Sequence, residues 1–342
     1  MRTIYTEAHR QQDGGHELLE GQFVKAHESP SRADFVINRV REVKLGEVLE
    51  PQGFSLDPIL KVHDKGLVDF LATAWDQWAA TGRTFDALPH VWPVPGLGRR
   101  LSDSIDGKLG YYAIDAGTPI MKGTWNAVKA SADVALTAQK LVATGERAAF
   151  ALCRPPGHHA GSDFYGGYCF LNNAGIAAQA FRDQGAKRVA ILDVDYHHGN
   201  GTQQMFFERD DVLTISLHAD PKQEFPYFIG YADEIGAGAG EGYHMNLPLP
   251  WGTDWARYSE ALEHAMKRIE QYGAEALVVS LGLDTFEEDP ISRFKLKQGD
   301  YPKMGERIAW ADLPTLFVME GGYAVEALGV NTVNVLLGFE QR

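Results

Sequence analysis

The chain has little cysteine: among 342 residues only Cys153 and Cys169 occur. Two thiols cannot build a disulfide framework, and each lies in an apolar or glycine-rich run where a reduced thiol packs as a small hydrophobe. Long uninterrupted apolar stretches are missing, so no membrane span is expected. The start, Met1-Arg2-Thr3-Ile4-Tyr5, lacks the apolar core of a secretory signal, which leads to the expectation of a cytoplasmic protein. Basic residues are outnumbered, 32 Lys and Arg against 46 Asp and Glu, for a net charge of −14. With no lysine or arginine stripe to neutralise phosphates, nucleic acid is not expected as a partner. An acidic surface serves solubility and also attracts cationic molecules. Internal repeats and low-complexity tracts are absent too.

What is present is an alternation of short apolar runs and amphipathic stretches. Thr3–Tyr5, Arg147–Leu152, Arg188–Leu192, Val212–Leu217, Ala276–Leu281 and Thr315–Met319 have the length and near-continuous apolar character of strands buried on both faces of a parallel sheet. Between and around them, helical spacing runs through Arg32–Val43, Ile59–Thr81, Gly123–Thr144, Asn172–Gly185, Asp254–Tyr272, Tyr301–Ala311 and Glu326–Leu337. This predicts one doubly wound α/β domain over residues 1–342 with a mainly parallel central sheet. The runs at Arg147–Leu152 and Arg188–Leu192, with the helix between them, make a βαβ unit. From Phe85 to Met121 periodicity disappears and proline and glycine punctuate the chain. So long a loop with so many aromatic and apolar residues reads as an ordered insertion over a site or a subunit interface. Gly236-Ala237-Gly238-Ala239-Gly240-Glu241-Gly242 lacks the flanking strand and helix of a dinucleotide fingerprint and reads as a turn.

Five expected strands end in polar or glycine-rich clusters: His158-His159, Asp193 to His198, Ser216-Leu217-His218, Gly282-Leu283-Asp284 and Glu320-Gly321-Gly322-Tyr323. In a parallel sheet all of these belong on one edge, where α/β proteins build their sites. Asp195 and His197, two apart past a strand, point the same way, and Asp284 can join them. One imidazole nitrogen and two carboxylates suit a divalent metal such as zinc, with iron also compatible with the ligand types. His158-His159 supplies imidazoles for proton transfer, and Tyr323, after two glycines, can donate a hydrogen bond to an oxyanion.

These motifs resemble those of a known family. Arg154-Pro155-Pro156-Gly157-His158-His159, Gly166 to Asn173, Asp193 to Thr202, Asp284 and Gly321-Gly322-Tyr323 are similar to the metal-dependent deacetylases. More narrowly they resemble the bacterial acetylpolyamine amidohydrolases, relatives of histone deacetylases on the arginase-like fold. The resemblance implies one Zn2+ per chain, or Fe2+, held by Asp195, His197 and Asp284. It implies His159 as general base and acid, His158 as its electrostatic partner, and Tyr323 as polariser of the scissile carbonyl. Asp193 is expected behind His158 and Asn200 behind His159, the latter where many relatives carry aspartate. Gly167, Tyr168 and Phe225 are expected to line a substrate tunnel. A structural K+ or Na+ is implied at Asp193, Asp195, His197, Ser216 and Leu217, and another near Phe206, Arg209, Val212 and Tyr243.

The arginase branch places a second metal with carboxylates where this chain has Gly199 and Phe286, so a single-metal site is expected. In the polyamine branch the insertion builds a homodimer and narrows the tunnel. Of its Asp103, Asp106 and Asp115, Asp106 is the leading candidate to meet the distal ammonium. The implied reaction is hydrolysis of the acetylamide of an acetylated polyamine or short diamine to acetate and free amine. The alternatives are deacetylation of lysine side chains or another small amide, and a non-catalytic scaffold, which would have lost one of these groups.

Overall fold

The structure is a computed structural model that describes every residue except Glu20 and Leu97. Ten strands occur among the described residues: β1 (Arg2–Ile4), β2 (His16–Leu19), β3 (Gln22–Lys25), β4 (Val48–Leu49), β5 (Ala148–Ala151), β6 (Val189–Asp193), β7 (Val212–Ala219), β8 (His244–Leu249), β9 (Ala276–Leu281) and β10 (Thr315–Met319). Eight form one sheet in the order β4-β1-β5-β10-β9-β6-β7-β8, while β2 and β3 pair as a separate antiparallel hairpin. Every neighbouring pair in the large sheet is parallel.

Both faces are covered, which is why the central strands are apolar at nearly every position rather than at alternate ones. Along β9, Ala276 and Val278 enter one core with the helices Lys65–Ala79, Thr124–Ala143 and Asn173–Asp183. Leu277, Val279 and Leu281 enter the other, beneath the helices Ser31–Glu42, Trp255–Tyr272, Tyr301–Ala309 and Val325–Glu340. The helices start and stop on local chemistry. Asn172 caps Asn173–Asp183 by accepting from the Gly175 N–H, and Asp254 caps Trp255–Tyr272 through Arg257 N–H before Gly273 ends that helix in the left-handed region.

Three differences from the sequence expectations bear on the site. The strands of the expected βαβ unit, β5 and β6, are not neighbours, because β10 and β9 lie between them. That interposition sets the chemistry-bearing ends of β5, β10, β9 and β6 side by side. The stretch Phe85–Met121 holds a helix, Ile105–Tyr112, capped by Ser104, and is closed at its base by a bridge between Ala87 and Ile120. Finally, β8 and the β2–β3 hairpin were not foreseen; the latter brings Glu17 to the site.

Candidate metal centre and substrate pocket

The end of β6 runs from Asp193 into Asp195 and His197, and the end of β9 leads to Asp284. The ligand atoms of Asp195, His197 and Asp284 lie within 4.8 Å of one another, and all three residues are buried. His197 Nδ1 stands 3.0 Å from Asp284 Oδ2 and 3.4 Å from Asp195 Oδ1. Backbone N–H groups hold both carboxylates in place. Asp195 accepts from the N–H groups of His197 and Gly321 at 2.8 Å each, and Asp284 accepts from Tyr196 N–H at 2.8 Å. Gly321 is required for this approach, since a Cβ there would meet Asp195 Oδ2 at 2.5 Å and Asp284 Oδ2 at 2.6 Å. Burial, then the charge of Asp195, pushes the Asp284 carboxyl up to about 7. Two dry carboxylates facing one imidazole form a set that a divalent cation neutralises, so the residues fit a metal.

The end of β5 leads through Arg154 to the paired histidines, whose ring centroids are 4.0 Å apart. His158 Nδ1 lies 2.9 Å from Asp193 Oδ2, and His159 Nδ1 lies 2.6 Å from Asn200 Oδ1. Their environments separate them. Burial disfavours a charge on either ring, but Asp195 and then Asp193 outweigh it at His158 and raise it to about 10. His159 has only a neutral amide, so burial and the neighbouring His158 and His197 hold it well below the usual histidine value. The two rings are thus biased apart, His158 toward the charged form and His159 toward the neutral one. His159 also needs Gly167, at a positive φ of 56°, because a Cβ there would come within 2.3 Å of the imidazole.

The end of β10 supplies Tyr323. Its ring packs beside Tyr168 at 5.5 Å and under the Arg32 guanidinium at 4.7 Å. Burial drives its pKa well up, so the hydroxyl keeps its proton and remains a donor. A pocket of about 490 Å³ is lined by His159, His197 and Tyr323, by the aromatic rings of Tyr168 and Phe225, and by Gly167. The Phe225 ring meets His159 edge-on at 5.0 Å, and Tyr168 holds a left-handed backbone with φ of 66°.

The acidic residues of the pocket differ from the leading sequence candidate. Asp106 is not among its lining residues; both its oxygens take the Arg83 guanidinium, at 2.6 and 2.7 Å. Asp115 does line the pocket, but its oxygens accept from Gly167 N–H, Gly117 N–H and Thr118 Oγ1 and fix the wall. Glu17 and Glu224 complete the acidic lining. Glu17 Oε1 is 2.6 Å from His27 Nδ1, and the same carboxylate faces the Tyr168 hydroxyl and helps to raise its pKa. The sequence signal for Glu17 was two short apolar runs either side of Gly21, too brief to separate from loop.

Some residues of the implied cation sets are neighbours. Asp193 and Ser216 pair in register across β6 and β7, and Asp195 N–H donates to Asp193 Oδ1 at 3.1 Å. Near the second set, Arg209 N–H donates to Phe206 O at 3.0 Å and Thr214 N–H to Tyr243 O at 3.2 Å. Val212 opens the same strand.

A family model of the histone deacetylase domain matches residues 26–338. The chain belongs to the histone deacetylase family. It is 59% identical over 340 residues to acetylpolyamine amidohydrolase 2 of Pseudomonas aeruginosa, covering 99% of each chain. It is 50% identical over 338 residues to the acetylpolyamine amidohydrolase of Mycoplana ramosa, again covering 99% of each. The crystal structure of an acetylpolyamine aminohydrolase from Burkholderia pseudomallei superposes with a TM-score of 0.94 at 36% identity, over 99% of this chain and 98% of that one. Family membership makes the chain a metal-dependent hydrolase of the deacetylase class. No helix among the described residues is long and apolar enough to cross a membrane.

Proposed function

We propose that the chain hydrolyses the acetylamide of acetylated polyamines or short diamines, such as acetylputrescine and acetylcadaverine, to acetate and free amine. The observation that carries this is the composition of one pocket. It is lined by a neutral histidine base, a histidine of the metal set and a phenol donor, together with Glu17, Asp115 and Glu224 against a single guanidinium, Arg293. A cationic amine suits that wall; an anionic or neutral chain gains nothing from it.

Asp195, His197 and Asp284 would hold the metal, proposed here as zinc, with iron(II) compatible. When bound, such an ion supplies Lewis acidity toward the acetamide carbonyl and toward water. His159 takes the proton from the attacking water and returns it to the amine nitrogen as the C–N bond breaks. His158, held cationic by Asp195 and Asp193, keeps His159 from charging prematurely and favours negative charge in the transition state. Tyr323 donates to the carbonyl oxygen as that charge develops. Tyr168 and Phe225 flank the methylene chain, and the negative charge of Glu17 in the pocket wall attracts the distal ammonium. K+ or Na+ at the two oxygen-rich sets belongs to the same reading, as does a homodimer. Phe85, Val91, Val94 and Leu101 of the insertion are each more than half exposed, which supports a covering second copy.

The deciding experiment compares acetylputrescine and acetylcadaverine with an acetyl-lysine peptide on zinc-loaded protein. Higher kcat/KM for the diamines is expected, and faster turnover of the peptide would reject the polyamine reading.

A further inference from the structure

Asp289 is 6% exposed, and among the described residues no lysine or arginine pairs with it. A dry carboxylate without a cation is costly, so its partners must repay the burial. Those partners are three backbone N–H groups. Oδ2 accepts from Tyr323 at 2.7 Å and Ala324 at 3.2 Å, and Oδ1 accepts from Ile291 at 3.1 Å. The first two belong to the loop that carries the phenol donor. The third belongs to the segment Pro290–Arg293, all four residues of which line the substrate pocket.

The loop needs such an anchor. Gly321 and Gly322 precede Tyr323, and two glycines leave the backbone free to rotate. Gly321 is tied through its N–H to Asp195 and through its carbonyl to Leu283 N–H, and the Gly322 carbonyl takes Arg32 Nε at 2.7 Å. The Tyr323 N–H has Asp289 alone, and its position determines where the Cα, and so the phenol, stands. Adjacent Ala324 shares the same oxygen, which closes the anchor over the turn into the helix Val325–Glu340.

The geometry points to Asp289 as a positioning residue: one carboxylate fixes the Tyr323 phenol and the Pro290–Arg293 wall in register, so that the carbonyl donor meets a substrate held by that wall. This rests on the proposed role of Tyr323 and deepens it. The hydrogen bonds of the Asp289 side chain all go to the two backbones it joins, and it acts through them.

A double-mutant cycle on zinc-loaded protein tests it, with folding checked by circular dichroism and thermal unfolding. Asp289→Ala should lower kcat about 10- to 100-fold, the scale for a displacement near 1 Å, with KM changed less than about threefold. Asp289→Asn keeps an oxygen for Tyr323 and Ala324 but turns an NH2 toward Ile291 N–H, so it should recover most of the lost kcat. In a Tyr323→Phe background, Asp289→Asn and Asp289→Ala should cost less than about twofold more in kcat, because the phenol they position is gone, while the small KM change from the Pro290–Arg293 wall persists. Losses that multiply in that background, or an Asp289→Ala enzyme with unchanged kcat, overturn the proposal. If Tyr323→Phe alone leaves turnover intact, the role of Tyr323 itself falls and this inference falls with it. A deep Tyr323→Phe loss with multiplying effects removes only the role of Asp289. Should Asp289→Ala not fold, Asp289→Ser, whose single hydroxyl cannot bridge both loops, takes its place in the cycle: a kcat loss that disappears in the Tyr323→Phe background supports the proposal, and an unchanged kcat or a multiplying loss overturns it.

Discussion

His159 Nδ1 sits 2.6 Å from Asn200 Oδ1, and an amide oxygen can only accept. The ring's proton is therefore on Nδ1, and Nε2 is free to take another. Because Asn200 is neutral, its hydrogen bond raises the basicity of the ring less than a carboxylate would, and burial holds it low. Asn200→Asp should raise the pKa of His159 and move the acid limb of the kcat/KM profile upward by about one pH unit, the usual scale for a carboxylate partner. An acid limb unmoved in the variant would remove His159 from the role of base.

Removing the metal should have two separate effects. Chelation should abolish turnover, with Zn2+ restoring it. It should also lower the Tm, because Asp195 and Asp284 then face each other without a neutralising cation. A chelated protein with unchanged Tm and activity would mean that Asp195, His197 and Asp284 are not a metal set.

Glu17→Gln preserves size and still offers an oxygen to His27 Nδ1, but removes the negative charge from the pocket wall. KM for acetylputrescine should rise about 10- to 100-fold, the value of a hydrogen bond to a charged group. An uncharged acetamide of equal length should be little affected. Equal losses on the two substrates would assign Glu17 to the hairpin's architecture rather than to ammonium recognition.

His63 carries a pH dependence of stability remote from the reaction. Its Nδ1 is 2.8 Å from Gly161 O, and its Nε2 accepts from Asn172 N–H at 2.9 Å, so the ring is locked neutral. Burial lowers its pKa to about 4. The unfolded ring, near 6.5, binds a proton that the folded ring refuses, so stability is full above about pH 6.5 and is lost as pH falls toward 4. The loss reaches about 3 kcal/mol at most. His63→Ala should be less stable at pH 8 but show a shallower fall in Tm between pH 6.5 and 4.5. Parallel pH slopes for the two proteins would contradict this.

Much of the fold was legible because fully buried parallel strands leave a plain mark. The run Ala276–Leu281 is apolar at nearly every position, and so are its neighbours in the sheet. The polar clusters directly after such strands must lie on one edge, which is why Asp195, His197, Asp284, His159 and Tyr323 could be grouped before any coordinates. The helix Ile105–Tyr112 was missed because Gly107 and Gly110 weaken its pattern, and β2 because four residues are too few for a period to show.

The sequence by itself determined the strand interiors, the polar groups at their ends and the neutral amide at residue 200. These are local facts, set by covalent order and side-chain chemistry. Only the tertiary structure decided that β10 and β9 come between β5 and β6, that Arg83 takes Asp106 away from the pocket, and that Glu17 arrives in its place. Strand order and ion-pair choice depend on contacts between residues far apart in the chain, and no local pattern encodes which of several carboxylates the folded backbone brings to one wall.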